Sequence, residues 1–307
     1  MKTKHLSEAV FVDKTTLLKL KQKAQNFFIQ QSRLPVDVGL GDSVSPFKTK
    51  GLDFQEVRVY QPGDDIRFID WRITAKQNKP YTKLYTDEKE RQIFILADMR
   101  TSMKFATKGV FKSVIVAKSA ALLSFLAENK NDKIGFAILG SDKTESAFSL
   151  SGAESGRALI EGLEAYGTLE NETINEEQTL LQTLTTSERL IRKGSMVFVL
   201  SDFSDMNEEC SAIIKRIARK SVCSLVHIYD ILEKEFPKGV FPISDGETIS
   251  YIDVSSSTLQ KRYKEIFNQR VEFLHSLSKS ENVGYLPLKT TDDFMKKIIH
   301  YCKGGLV

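Results

Sequence analysis

RQIFILADMRTS, residues 91–102, holds five consecutive apolar positions from Ile93 to Ala97, then an acid, an arginine and two hydroxyl residues. An apolar run this short, rich in β-branched and aromatic side chains, predicts a strand buried on both faces rather than a helix. SMVFVLSDFSD, residues 195–205, repeats the arrangement: an apolar run, then Ser201, Asp202, Ser204 and Asp205 within five residues. Working outward, Val110–Ala127 is apolar at helical spacing, KIGFAIL (133–139) reads as a strand, and SAFSL (146–150) pairs beside it. GRALIEGLEAY (156–166), TLLQTLTTSERLIRK (179–193) and SAIIKRIARK (211–220) read as helices, and SVCSLVHIYD (221–230) as a further strand. A hairpin follows at 239–253 with its turn at Asp245-Gly246, then a long helix from Leu259 to Ser278, a strand at 283–288 and a last helix from Asp292 to Tyr301. Strands that alternate with helices predict an α/β domain with a doubly wound, mostly parallel sheet over residues 91–307.

Residues 1–90 differ in character. Asp13 caps an amphipathic helix in which Leu17, Leu20, Ala24 and Phe27 share one face. Residues 33–53 carry Pro35, Pro46 and several glycines without periodicity and read as irregular connection. The stretch then becomes dense in charge: YQPGDDIRFIDWR, residues 60–72, holds three acids, two arginines, a Pro-Gly turn and the chain's only tryptophan. Pro62 presets the turn and Gly63 supplies the positive φ. Ile66 and Ile69 are expected to pack inward with Trp71, while Arg58, Arg67 and Arg72 lie within reach of Asp64, Asp65 and Asp70. Adjacent acids with no His or Cys beside them read as a local ion-pair cluster rather than a catalytic dyad. The expected division is therefore a signature-bearing extension, 1–90, and an α/β domain, 91–307.

Composition narrows the function. The net charge is +4, and all of that excess falls in residues 1–90, with 16 basic and 12 acidic side chains. This is too diffuse for a nucleic-acid footprint, which needs a clustered basic face. Cys210, Cys223 and Cys302 show neither a CxxC pair nor zinc spacing, and read as reduced thiols of a cytoplasmic protein. His227 sits in an apolar run and reads as a core residue. No segment is long and apolar enough to span a membrane, and the first ten residues lack a signal peptide's apolar region. No glycine-rich phosphate loop follows any strand.

In a doubly wound sheet the site lies beyond the carboxyl ends of the strands, where the strand order reverses. That places Asp98 and Asp202, with hydroxyl residues close behind, at the expected site. Carboxylates and hydroxyls are the hard oxygen donors that Mg2+ prefers. A phosphatase of the haloacid dehalogenase type would need an acid two residues after Asp98, and Arg100 stands there instead.

Two resemblances carry the reading further. The strand-end loops resemble the metal-ion-dependent adhesion site of von Willebrand factor A domains, whose first loop reads D-x-S-x-S. Asp98 and Ser102 match it, Asp202 suits the later acid, Thr179 is the candidate threonine ligand with Thr173 as alternate, and Asp205 is a nearby binding candidate. Arg100 departs from the pattern: a guanidinium has no lone pair to donate. Three outcomes stay open at these positions: bound Mg2+, Arg100 paired with Asp98 or Asp202 as a fixed cation, or acids that only cap the following helices. The second resemblance covers residues 51–72. Gly51, Asp53, Phe54, Glu56, Arg58, Tyr60, Pro62, Gly63, Asp64, Asp65, Arg67, Ile69, Asp70, Trp71 and Arg72 match the signature of DUF58, a bacterial family of domains of unknown function.

The resemblance to that family implies a von Willebrand factor A-like domain and a partner, since members are commonly encoded beside MoxR-type AAA+ ATPases. It implies a non-enzymatic adaptor between such an ATPase and a client protein, acting in complex assembly, cofactor insertion or stress tolerance. The alternative is a Mg2+-dependent hydrolase using Asp98, Asp202 and Asp205.

Overall fold

A computed structural model of the 307-residue chain describes residues 9–25, 27, 52–87, 92–107, 109–141, 144–147, 152–167, 178–235, 237, 239–244, 249–253 and 256–303. Two compact units emerge. Residues 37–90 form one; residues 1–36 and 91–307 form the other.

Helix α1, Lys14–Ala24, belongs to the larger unit. In the smaller unit, strand β1 (Leu52–Val59) is followed by a 3-10 turn (Ile66–Phe68), helix α2 (Trp71–Gln77) and strand β2 (Tyr81–Asp87). The chain returns to the larger unit with β3 (Gln92–Asp98), a 3-10 turn (Thr101–Met103), α3 (Lys112–Glu128), β4 (Lys133–Leu139) and β5 (Thr144–Ala147). Then come α4 (Gly152–Tyr166), α5 (Leu180–Leu190), β6 (Met196–Ser201), α6 (Glu208–Ala218) and β7 (Val222–Tyr229). The chain continues through α7 (Ile231–Lys234), β8 (Val240–Ser244), β9 (Ile249–Asp253), α8 (Ser257–Ser278), β10 (Val283–Lys289) and α9 (Phe294–Cys302).

Six strands form one sheet in the order β10-β7-β6-β3-β4-β5. All neighbours are parallel except β5, which runs antiparallel to β4 at the edge. This is the doubly wound, mostly parallel sheet expected from the alternating pattern. β3, β6 and β7 are buried along their whole length, because helices cover both faces, which is why their sequences are continuously apolar rather than alternating. On one face Phe94, Leu96, Val197, Val199, Cys223 and Leu225 meet Leu180, Leu184, Ile213, Ile217 and Leu274 from α5, α6 and α8. On the other lies α3, apolar nearly all round and buried from Lys112 to Ala127 apart from Lys118, with α1, α4 and α9 packed against it.

The order of the sheet fixes the site. The connection from β3 runs to β4 on one side, and the later return to β6 lies on the other. The strand order therefore reverses between β3 and β6, and Asp98 and Asp202 stand at the carboxyl ends of those two strands.

Three expectations change. The N-terminal helix groups with the sheet rather than with the rest of residues 1–90. Its buried face of Leu17, Leu20 and Ala24 packs on α3, Lys21 pairs with Glu128 at 2.8 Å, and Lys14 pairs with Glu161 at 2.8 Å. Ile66 and Trp71 do not pack inward: they are 65% and 70% exposed. A two-stranded sheet with one short helix has no second layer against which to bury them. Third, the edge strand at β5 starts two residues earlier than expected; residues 148–150, like 33–51 and the Asp245-Gly246 turn, lie outside the described residues.

Candidate functional site

Asp98 is completely buried, and its carboxylate is occupied on both oxygens. Arg100 Nε donates to Oδ1 at 3.0 Å and Nη2 donates to Oδ2 at 2.8 Å. The Ser201 hydroxyl donates to the same Oδ2 at 2.6 Å, and the Arg100 backbone N–H reaches Oδ1 at 3.2 Å. Ser201 is the last residue of β6, beside β3, and its own hydroxyl accepts from Phe203 N–H at 2.9 Å. The two strands at the switch point are thus stitched together through their end residues.

The other edge of the Arg100 fork faces Asp205. Nη1 donates to Oδ2 at 2.8 Å and Nη2 to Oδ1 at 2.9 Å. Nη1 also approaches the Gln178 carbonyl at 3.4 Å, and Leu180 N–H donates to Asp205 Oδ2 at 2.9 Å. The guanidinium, 4% exposed, therefore ties the loop after β3 to the loop after β6 and to the start of α5.

Asp202 has a separate cation. Lys112, in the first turn of α3, places Nζ 2.7 Å from Asp202 Oδ2 and 2.8 Å from Glu233 Oε1. Ser204 N–H donates to Asp202 Oδ1 at 3.0 Å, and Arg270 of α8 donates to the Asp202 carbonyl at 3.2 Å and to Glu233 at 3.4 Å.

The charges follow from these contacts. Burial pushes the Asp98 carboxyl up, and the hydrogen bond and charge of Arg100 work against that. Burial also opposes the charge on Arg100, but its bonds to Asp98 and Asp205 outweigh it and raise its pKa. Lys112 is likewise disfavoured by burial yet held protonated by Asp202 and Glu233. For Asp202 and Asp205 burial raises the pKa, but the neighbouring Lys112 and Arg100 win and hold both below the usual carboxylate value. Buried acid and buried base neutralise each other, which is the condition for keeping either inside.

Asp98, Arg100, Asp202 and Asp205 are brought together at the switch point. Ser102 is exposed on the 3-10 turn. Thr179 is the N-cap of α5: its hydroxyl accepts from Gln182 N–H at 3.2 Å, and the Gln182 side chain accepts from Thr179 N–H at 2.9 Å in a reciprocal capping box. Thr173 lies outside the described residues. The donor set does not fit a divalent cation as arranged. Both oxygens of Asp98 face a guanidinium, Oδ2 of Asp202 faces an ammonium, and the threonine is spent on a helix cap. Among the described residues no three Asp, Glu, His or Cys side chains are placed to share a metal ion. Neither acid caps a helix, since α6 is capped by Asn207. A hydrolase built on Asp98, Asp202 and Asp205 would need one of these carboxylates free to attack or to take a proton, and their oxygens are engaged with Arg100 and Lys112.

Lys112, Ser201, Glu233 and Arg270 do not stand out in the sequence. One signal is present: Lys112 opens a helix whose other residues are mostly apolar, a position where a buried charge needs a partner.

In the smaller unit the signature residues organise the turn locally. Arg58 pairs with Asp64 at 2.7 Å, and Asp64 also accepts from Gln61 N–H at 2.9 Å across the turn in which Gly63 has φ +109°. Asp65 caps the 3-10 turn and pairs with Arg67. Asp70 caps α2, and its ion-pair partner is Lys83 at 3.2 Å rather than the Arg72 side chain. Tyr60 donates its backbone N–H to the Pro80 carbonyl, and Pro62 leads into the turn.

The model of the family described as "Protein of unknown function DUF58" matches residues 56–272, more than half of the chain. An uncharacterized protein of Mycobacterium tuberculosis, Rv1480, is 24% identical over 163 residues, which are 53% of this chain and 50% of that protein. YeaD of Bacillus subtilis, also uncharacterized, is 30% identical over 80 residues, covering 24% of this chain and 20% of its own length. This chain spans about half the length of the mycobacterial relatives it matches. Among solved structures, an aerotolerance-related membrane protein from Bacteroides fragilis aligns with TM-score 0.40 and 12% identity, over 68% of this chain and 98% of that one. The SpRpn10 VWA domain aligns with TM-score 0.35 and 9% identity, over 71% and 98%. The fold itself is a doubly wound, mostly parallel α/β sheet.

Proposed function

Because the chain belongs to the DUF58 family of proteins of unknown function, we propose that it is a non-enzymatic protein-binding adaptor that joins a MoxR-type AAA+ ATPase to a client protein. The observation that carries this reading is the division of labour at the strand ends. The Asp98–Arg100–Asp205 and Asp202–Lys112–Glu233 groups, buried at all but Asp205 and Glu233, tie the loops together, while Thr101, Ser102, Phe105 and Ile231 present an exposed, mixed polar and apolar surface above them. Phe105 is 42% and Ile231 43% exposed. Fixed loops carrying a few protruding apolar side chains suit recognition of a protein surface. Among the described residues no helix is long and apolar enough to cross a membrane. The adaptor role proposed for the chain is a cytoplasmic one. Complex assembly, cofactor insertion or stress tolerance are the processes such an adaptor would serve.

A tagged pull-down from the native lysate, with and without ATP and Mg2+, tests the reading. Recovery of an AAA+ ATPase by the wild-type chain, and its loss with Phe105→Ser at unchanged melting temperature, is the expected result. Finding no ATPase under any condition removes the adaptor proposal. Retention by Phe105→Ser and by Ile231→Ser moves the contact away from the strand ends.

A further inference from the structure

We propose that Arg100 occupies, as a built-in cation, the position that a divalent ion would otherwise take between the strand-end carboxylates, so that this protein works without a metal there. The inference concerns how the loops are held and stands whatever partner they meet.

One nitrogen carries the argument. Arg100 Nη2 lies 2.8 Å from Asp98 Oδ2 and 2.9 Å from Asp205 Oδ1, so a positively charged group sits directly between two carboxylates from different loops. Those are hard oxygen donors of the kind that bind Mg2+, Ca2+ or Mn2+ at about 2.0–2.6 Å. The remaining hydrogens of the fork go to Asp98 Oδ1, Asp205 Oδ2 and the Gln178 carbonyl, so each of the five guanidinium N–H groups has an acceptor. Nothing on Arg100 is left to receive a ligand's carboxylate. Asp202 is neutralised separately by Lys112, which is 3% exposed. A divalent ion entering this space would have to displace a hydrogen-bonded cation and then sit beside a second buried one. Any recognition that depends on a metal joining an acidic group of the partner to Asp98 is closed to this chain.

The test is a gain of function in metal binding. Wild-type protein, titrated with Mn2+ and Ca2+ by calorimetry and melted in EDTA or in either ion, is expected to show no stoichiometric binding and an unchanged melting temperature. Arg100→Ser removes the fork, leaves Asp98 and Asp205 facing a gap and adds a hydroxyl. It is expected to bind one Mn2+ or Ca2+ at least about tenfold more tightly than wild type and to melt higher in the ion than in EDTA. Adding Asp98→Asn to that variant should abolish the gain. If Arg100→Ser folds only when the ion is present, that dependence supports the inference in the same way. Wild-type protein that binds one divalent ion, and loses it with Asp205→Asn, overturns the inference. So does a folded Arg100→Ser chain that binds no better than wild type. If Arg100→Ser folds under neither condition, the wild-type titration decides.

Discussion

At the scale of single residues, the strand-end acids are stability elements first. Removing one partner of a buried ion pair leaves the other charge unpaired, at a cost of about 3–5 kcal/mol. Asp98→Ala and Arg100→Ala are each expected to lose stability on that order in urea denaturation. The double variant should lose less than the sum, because it leaves no orphan charge from that pair. Loss of partner binding in Asp98→Ala would therefore report on folding unless the melt is shown intact, which is why the exposed Phe105 is the better probe of contact. His227 is a second such residue. It is buried among Phe203, Tyr229, Phe267 and Tyr285, with Nδ1 2.9 Å from the Tyr285 hydroxyl. Burial, reinforced by the charge of Arg270, pushes its pKa down to about 3. A base whose folded pKa is depressed takes up its proton in the unfolded chain first. Its contribution is fully present above about pH 6.5 and is lost as the pH falls towards 3, at no more than about 1.4 kcal/mol per pH unit. Urea melts at steps between about pH 6.5 and 4, inside that window, should show this slope in wild type and a shallower one in His227→Gln. An unchanged slope in the variant would assign the pH dependence elsewhere.

At the scale of elements, helix ends and close contacts account for residues that resemble functional ones. Thr179 is the instructive case: a threonine just before a helix serves the helix, and the reciprocal bonds with Gln182 use its hydroxyl and backbone. Thr179→Ala is expected to cost about 1 kcal/mol in chemical denaturation, with no change in response to divalent ions. A change in metal response would return Thr179 to the candidate ligands. Gly284 on β10 faces Tyr301 of α9 so closely that an added Cβ would collide with the phenol oxygen, which also donates to the Ser224 hydroxyl at 3.0 Å. Gly284→Ala is expected to lose about 1–3 kcal/mol by overpacking, read as a lower urea midpoint. The elements themselves are legible in the sequence where the pattern is long. β3, β6 and β7 are continuous apolar runs because both faces are covered, and α6 shows its buried Ile213, Ile214 and Ile217 at helical spacing. Asp13 is readable as a cap because its two backbone contacts lie within three residues.

At the scale of the whole molecule, the chain crosses between its two units twice, and α1 belongs to the sheet-bearing unit. Leu17, 1% exposed, is the centre of that docking. Leu17→Ala is expected to lower the stability of the larger unit by about 2–5 kcal/mol, measured by urea denaturation of the intact chain. A loss below about 0.5 kcal/mol, the scale of surface changes, would mean that α1 is not part of its core. The smaller unit holds itself by local bonds: Asp64, Asp65 and Asp70 each bond backbone or side chains within a few residues or across one strand pair. Contacts that short make the signature stretch legible as an ion-pair cluster from its residues alone. The exposure of Trp71 is not legible in the same way, since burial depends on what lies opposite.

The sequence by itself determined the α/β class, the strand-ending acids, the unpaired cysteines, and the self-contained turn around Gly63, because each rests on periodicity, spacing or contacts a few residues apart. It also exposed Arg100 as the residue that breaks the metal pattern. Only the tertiary structure decided what Arg100 does. Asp205 is 105 positions away and Asp202 lies 90 positions from Lys112, with Glu233 and Arg270 arriving from later elements. Charges that must be neutralised in a buried switch point find partners according to strand order, and strand order is set by packing of the whole sheet rather than by any local run of residues.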